Sequence, residues 1–443
     1  MSTQLLEPVL TGGIRNTNFF NGRLLTAEAL SAEQSANRQQ HQQLGQASGS
    51  GSVRGLDISL ISQGPQPVVR VGAGLAFNSL GQALALTQDT DVALTADLPT
   101  TITSAGLFAP CTPPDTVPIG SNAGVYILVM APASRYSTER APLHGFADNG
   151  RINGCGLRDT IEGVQFRLVF VDVTDAAMVG STLSPLLVAL LNNNNPAALS
   201  RLRNLLAYAC LGTVEAAHLP TELYRYLQAN APQPQYGVLD RLLAKGALTE
   251  CDIPIGLVYW TGSGVQFVDR WSVCRSLTPM PNTLNRLFGQ RRQAEGEAAF
   301  RQFQAHIAYL TRAGVPQNQL TPVSAANYFH YLPAAGIIPL VATGSTRGFN
   351  ADNFFNGLIT RAPVTIEGDR VPPLLQKSFS YDPIDLDEAE FLWLYTVRDN
   401  QQAIATNNAS APTAYLIFTS GHMPYAGVPL YDQARWDYSD YNE

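Results

Sequence analysis

The spacing of hydrophobic residues changes period several times along this chain. Residues 56–62 and Val68–Val71 alternate apolar with polar, the pattern of strands with one buried face. Turns at Gly72, Gly74 and Ser79-Leu80-Gly81 lead to another short strand at Ala83–Leu86. Apolar runs at 125–130 and 164–173 predict further strands, with irregular, proline-bearing chain at 112–119 and irregular chain at 135–153. From 183 to 247 the period becomes helical: Leu199, Leu202, Leu205, Leu206 and Cys210 fall on one face, and Pro185 and Pro196 suit first turns. Strands return at 253–260 and 265–271, joined by a Thr261-Gly262-Ser263-Gly264 turn. A long helix is expected over 282–312, weakened at Gly289 and Gly296, and later strands at Phe391–Val397 and 414–419.

The N-terminal stretch reads differently. An extended arm leads to Thr26, which can cap a helix running to about Leu44. Beyond Leu30 that helix is almost wholly Gln, Asn, Ser and Arg, so it bridges something or is marginal. The glycine- and serine-rich stretch 45–55 then reads as a flexible loop. These elements predict an α+β, multi-domain chain: β-rich modules, a helical insertion and a long connecting helix. The expected units are an arm and polar helix (1–47), a small β region (53–107), a β domain (108–281) with its insertion at about 183–247, the connecting helix (282–314), and a C-terminal α+β or β-rich domain (315–443) with an aromatic tail.

One string occurs twice. Asn18-Phe19-Phe20-Asn21-Gly22 near the start matches Asn353-Phe354-Phe355-Asn356-Gly357 near the end. Asn-Gly favours a turn, since both residues tolerate positive φ, and paired phenylalanines offer a large apolar anchor. Each copy is either a docking device or an aromatic turn buried in its own domain. The tail, with Trp436 and Tyr438, is too apolar to stay free and packs on its own domain or on a neighbour.

Composition narrows the function. Charged residues make up 14% of the 443, against about 25% in ordinary domains, so much of the surface is neutral and cheap to desolvate. All but two of the 28 basic residues (Lys245 and Lys377) are arginine, the better interface cation, although GC-rich coding would give the same skew. The net charge is −7 with no basic run, which disfavours nucleic acid. Five dispersed cysteines without a Cys-x-x-Cys, and no export signal at the N-terminus, point to reduced thiols in a cytoplasmic protein. No apolar run reaches the ~18 residues of a membrane span.

No reactive constellation emerges. The six histidines form no metal-ligand spacing, and no nucleophile elbow, phosphate loop or dinucleotide fingerprint is present. Asp382, Asp385, Asp387, Glu388 and Glu390 lack the spacing and central glycine of a calcium loop and read as a solvated loop or helix start. Arg158, Asp159 and Glu162, like Asp269 and Arg270, read as structural strand-end charges. Neither an enzyme nor a cofactor is expected.

Several stretches together resemble structural proteins of phage-tail-like contractile injection systems. Asn18-Phe19-Phe20-Asn21-Gly22-Arg23-Leu24-Leu25-Thr26-Ala27-Glu28, followed by Ala32-Glu33-Gln34, is similar to that family's aromatic-x-Gly-x-Leu-Leu-Thr opening and its helix containing Glu-Gln. Val53-Arg54-Gly55-Leu56-Asp57-Ile58, Val71-Gly72-Ala73-Gly74-Leu75-Ala76, Gly81-Gln82-Ala83-Leu84, Ile253-Pro254-Ile255-Gly256-Leu257-Val258 with Phe267-Val268-Asp269, and Tyr331-Leu332-Pro333-Ala334-Ala335-Gly336 follow in the family's order. The chain departs at 42–52, where the family often carries aromatic and Gly-Trp-Gly-like residues. The resemblance implies a non-enzymatic subunit of the cap, baseplate or an adaptor. Its partners would be itself, as a ring-type homo-oligomer whose copy number stays open (six-fold included), and sheath, tube, cap or baseplate subunits. Candidate contact residues are Phe19, Phe20, Phe354 and Phe355 as anchors, Arg23 at the rim, and Trp436 and Tyr438 as a tail plug. The alternatives are a tail-fibre-like adhesin for a surface glycan or protein, and a hydrolase with a non-local site.

Overall fold

The computed structural model describes residues 14–22, 24–62, 67–94, 111, 124–137, 139–143, 154–191, 193, 195–212, 236–277, 290–311, 323–340, 348–400 and 414–427. Side chains of 140–143, 154–157 and 290 lie outside that description. The fold is multi-domain, α+β and β-rich, with several separate sheets.

A 22-residue helix, α1 (Ala27–Ser48), comes first. Thr26 caps it, its hydroxyl accepting from Ala29 N at 3.2 Å. Six short strands follow: β1 (Gly51–Gly55), β2 (Ile58–Ser62), β3 (Val68–Val71), β4 (Gly74–Phe77), β5 (Ala83–Leu86) and β6 (Thr90–Ala93). They form two three-stranded sheets, β1-β4-β5 and β2-β3-β6. The loop expected over 45–55 is therefore corrected. Gly45 lies within α1, and residues 51–55 pair antiparallel with β4. Gly45 is there for proximity, not flexibility: a Cβ on it would stand 2.1 Å from Gly81 O, in the β4–β5 turn.

The central sheet is antiparallel, in the order β10-β7-β11-β12, from β7 (Gly124–Tyr136), β10 (Thr160–Val171), β11 (Ile253–Thr261) and β12 (Gly264–Asp269). β7 is apolar almost throughout because both faces are covered, and its alternation divides two cores. Val125, Ile127 and Val129 face the helical side; Tyr126, Leu128 and Met130 face the small sheets. The helices are α2 (Ala176–Val179), α3 (Leu183–Leu191), α4 (Pro196–Leu211) and α5 (Gly237–Ala244); the last three fall within the helical run expected at 183–247, of which 192, 194 and 213–235 lie outside the described residues. Past Met130 and its partner Ile253 the pairing of β7 with β10 continues alone to Tyr136↔Thr160. Residues Arg140–Leu143 (β8) and Gly154–Leu157 (β9) form a further pair, so strand structure enters the chain read as irregular at 135–153.

α6 (Gln290–Thr311) lies within the connecting helix expected at 282–314, of which 282–289 and 312–314 lie outside the described residues. Ala298 and Ala299 pack with the central core, Phe303 and Ile307 with the C-terminal one. The C-terminal elements are α7 (Ala325–Tyr328), β13 (Tyr331–Leu332), β14 (Ala335–Pro339), α8 (Ala351–Phe354), β15 (Ile359–Thr360), β16 (Val364–Ile366), α9 (Val371–Ser378), β17 (Ile384–Asp385), β18 (Phe391–Val397) and β19 (Tyr415–Ser420). Their sheet runs β14-β19-β18-β15, with β16 also on β18. Leu392, Leu394 and Phe418 face one core, and Trp393, Tyr395 and Ile417 the other.

Cys111 and Cys251, 140 residues apart, form a disulfide, while Cys210 and Cys274 are free and buried. The expectation of uniformly reduced thiols does not hold for the bonded pair. Asn78 Nδ2 donates to Cys251 O at 3.3 Å and to Gln82 Oε1 at 2.7 Å, joining the same corner to the β4–β5 turn. Among the described residues no helix is long and apolar enough to cross a membrane.

Candidate functional site

The two copies of the repeated string share a turn and differ in everything around it. Gly22 and Gly357 both have left-handed φ, +87° and +88°, as the Asn-Gly pairs predict. In the first copy Phe19 is 51% and Phe20 63% exposed. In the second, Phe354 is wholly buried and Phe355 nearly so. The ring of Phe354 meets Phe355 at 5.1 Å, Phe349 at 5.3 Å and Phe329 at 6.3 Å, and Phe355 meets Phe418 at 5.9 Å. The expectation that Phe354 and Phe355 anchor a partner is therefore corrected: they are the aromatic centre of their own domain. Arg23, Trp436 and Tyr438 lie outside the described residues.

The first copy sits on a fixed support. Thr17 N donates to Glu33 Oε2 at 3.0 Å, and Thr17 Oγ1 to Ala29 O at 2.9 Å, folding the arm back along α1. The turn carrying Phe19 and Phe20 thus projects past the helix start, followed by Leu24, 81% exposed, and the exposed Leu25 and Leu30. α1 buries only Ala36 and Gly45. Its ties among the described residues include the Gly45–Gly81 approach and an ion pair from Arg38 to Glu162 of β10 at 2.9 Å. Among the described residues, the helix and the apolar turn before it make few contacts with the rest of the chain.

A cavity of about 340 Å³ lies where α5, α6 and the start of β11 meet. Its walls are mainly apolar, including Leu239, Leu243, Leu248 and Val273, with a buried charge cluster on one side. Arg291 donates from Nε to Glu295 Oε1 at 2.8 Å and from Nη1 to Asp240 Oδ2 at 3.1 Å, and it stacks over Tyr236 at 4.3 Å. Burial raises the Glu295 pKa above the ordinary carboxylate value, with Arg291 and Arg275 opposing. Arg275 spends its guanidinium on backbone carbonyls of Cys210, Trp271, Ser272 and Cys274. Burial pushes the Cys210 thiol up to about 12, so it is a poor nucleophile.

Two histidine clusters escaped the sequence, because each joins residues more than 50 positions apart. Ser200 Oγ lies 2.8 Å from His306 Nε2 and donates to Tyr328 O at 2.9 Å. With its one proton given to Tyr328, Ser200 accepts from His306 Nε2–H. The imidazole is thus not a base toward Ser200, and this buried pair is structural. His330 Nδ1 accepts from Arg201 Nη2 at 2.8 Å and lies 3.3 Å from Asp387. His330, Asp385 and Asp387 could hold a cation, but the Arg201 guanidinium already brings a positive charge there. Of the charges read as structural, Asp269 pairs with Arg203, Arg270 with Asp57, and Arg158 with Glu139.

Compared with protein-family models and with curated proteins, the chain finds no match in either.

Proposed function

We propose that this chain is a structural subunit of a phage-tail-like contractile injection system, joining layers of the particle at its cap, baseplate or an adaptor between them. Its partners are other copies of itself and neighbouring sheath, tube, cap or baseplate subunits, in a particle assembled in the cytoplasm. The supporting observation is the N-terminal arm: Phe19, Phe20, Leu24 and Leu25 are exposed beside a helix that buries only Ala36 and Gly45. Aromatic residues are enriched at protein interfaces, and a contiguous exposed apolar patch marks an interaction site.

Changing Phe19 and Phe20 together to Ala tests this. The variant keeps the wild-type unfolding transition, while particles from producing cells, viewed by electron microscopy, lack this subunit or fail to form. Particles of normal composition from the folded variant count against the proposal. A second reading, a binding module for a surface glycan or protein, is favoured by the cavity beside Glu295 and Arg291. Glycan-array binding by the isolated chain, lost on filling the cavity with Leu239→Trp, would support it.

A further inference from the structure

The open side of α1 carries an ordered pattern. Leu30, Gln34, Asn37, His41, Leu44 and Ser48 are all exposed and follow one another at steps of four and three. That spacing keeps them on one line along the helix, the seam by which two helices pair. Leu30 is 49% and Leu44 66% exposed, and no charged residue falls on the line. The body touches α1 elsewhere: the arm lies at Ala29 and Glu33, and the β4–β5 turn at Gly45.

We propose that this seam is where a second copy of the chain docks, α1 against α1, side by side and parallel. This rests on the assembly role proposed above and names the partner of that same surface. The helix holds only three charged residues, Glu28, Glu33 and Arg38. Glu33 and Arg38 flank the seam on opposite sides, five positions apart. In a parallel pair that separation sets Glu33 of each helix facing Arg38 of the other, twice over. An antiparallel pair loses both matches. Arg38 meets Glu162, and Glu33 meets Thr17 and Asn37, within one chain. A guanidinium has five N–H groups and a carboxylate several lone pairs, so each retains capacity for a further bond. Gln34, Asn37 and His41 make a polar seam, which fixes register at some cost in strength. The pairing is therefore weak between free chains and engages where an assembly raises the local concentration.

The test is site-directed crosslinking of the full chain within assembled particles. Gln34→Cys places a thiol on the seam, and Gln39→Cys places one on the opposite, also exposed face. Both sites are solvent-facing, so folding is preserved, and the wild-type chain under the same short bismaleimide sets the background from native thiols. Gln34→Cys is expected to give roughly tenfold more linked dimer than Gln39→Cys. Equal yields from the two, in particles that assemble, overturn the helix pairing and leave the assembly role standing. If the wild-type chain joins no particle or oligomer, the assembly role falls, and the pairing with it. A Gln34→Cys chain that links only to a His41→Cys chain overturns the parallel orientation.

Discussion

Arg203 donates from Nε to Asp269 Oδ2 at 2.6 Å, with both side chains buried between α4 and the end of β12. Gln302 Nε2 of α6 donates to the same carboxylate oxygen at 2.9 Å, and Ser272 N donates to the other at 3.2 Å. One carboxylate thus joins the insertion helix, the central sheet and the connecting helix. Removing it strands a guanidinium in the interior, so Asp269→Ala is expected to cost about 3–5 kcal/mol. Replacing both partners with apolar residues (Arg203→Met with Asp269→Leu) should recover much of that loss. Urea unfolding of the two variants checks this. A double variant as unstable as the single would count against a simple ion-pair account.

The repeated string offers a controlled comparison. Phe354→Ala empties a site walled by Phe329, Phe349 and Phe355 and is expected to cost about 3–5 kcal/mol. Phe19→Ala, at the matching position of the first copy, acts on an exposed ring and should change stability by no more than about 0.5 kcal/mol. The same denaturation series measures both, and similar losses would contradict the opposite environments of the two copies.

That comparison also marks what the sequence could tell. Phe391–Val397 is a strand with the bounds its apolar run suggested, and Thr26 marks the start of α1, because each signal is local. The string Asn-Phe-Phe-Asn-Gly gave the turn twice, since φ at Gly22 and Gly357 is a local matter. It could not give burial, which in the second copy depends on Phe329, Phe349 and Phe418. Gly45 looked like loop because composition does not reveal that Gly81 lies against it. The Arg203–Asp269, Ser200–His306 and Cys111–Cys251 pairings span 66, 106 and 140 residues and have no spacing to betray them. Of the candidate contacts, Phe19 and Phe20 are exposed and Phe354 and Phe355 are not.

His306 makes stability depend on pH. Burial, with help from Arg203, holds its pKa well below the ordinary 6.5. The folded chain therefore binds this proton less readily than the unfolded chain. Stability from this group is complete above pH 6.5 and declines as pH falls below it, toward the depressed folded value. His330, also lowered by burial, acts in the same direction, whereas Glu295 and Glu390, raised by burial, act oppositely from 4.5 upward. The difference between wild type and His306→Gln isolates His306, because glutamine keeps a donor for Ser200 and does not titrate. The wild type should lose more stability than the variant between pH 7.5 and 5.5, a window chosen around the ordinary value of about 6.5. Parallel pH profiles would contradict the assignment.

Gly45→Ala sets a methyl group against the Gly81 carbonyl and forces α1 off the β4–β5 turn. An overpacking cost of about 1–3 kcal/mol is expected, confined to that attachment. Limited proteolysis should then cut within residues 27–48 faster than in wild type, with the central and C-terminal cores unchanged. An unchanged cleavage pattern would mean that α1 is held by something other than this contact.

Hydrogen exchange compared between the free chain and the chain within purified particles bears most directly on the arm as a gripping surface. Amides of residues 17–48 should exchange readily at the arm and helix ends in the free chain and become strongly protected in the particle. Equal exchange of that segment in both states, with new protection around the cavity beside Glu295 instead, would contradict the account.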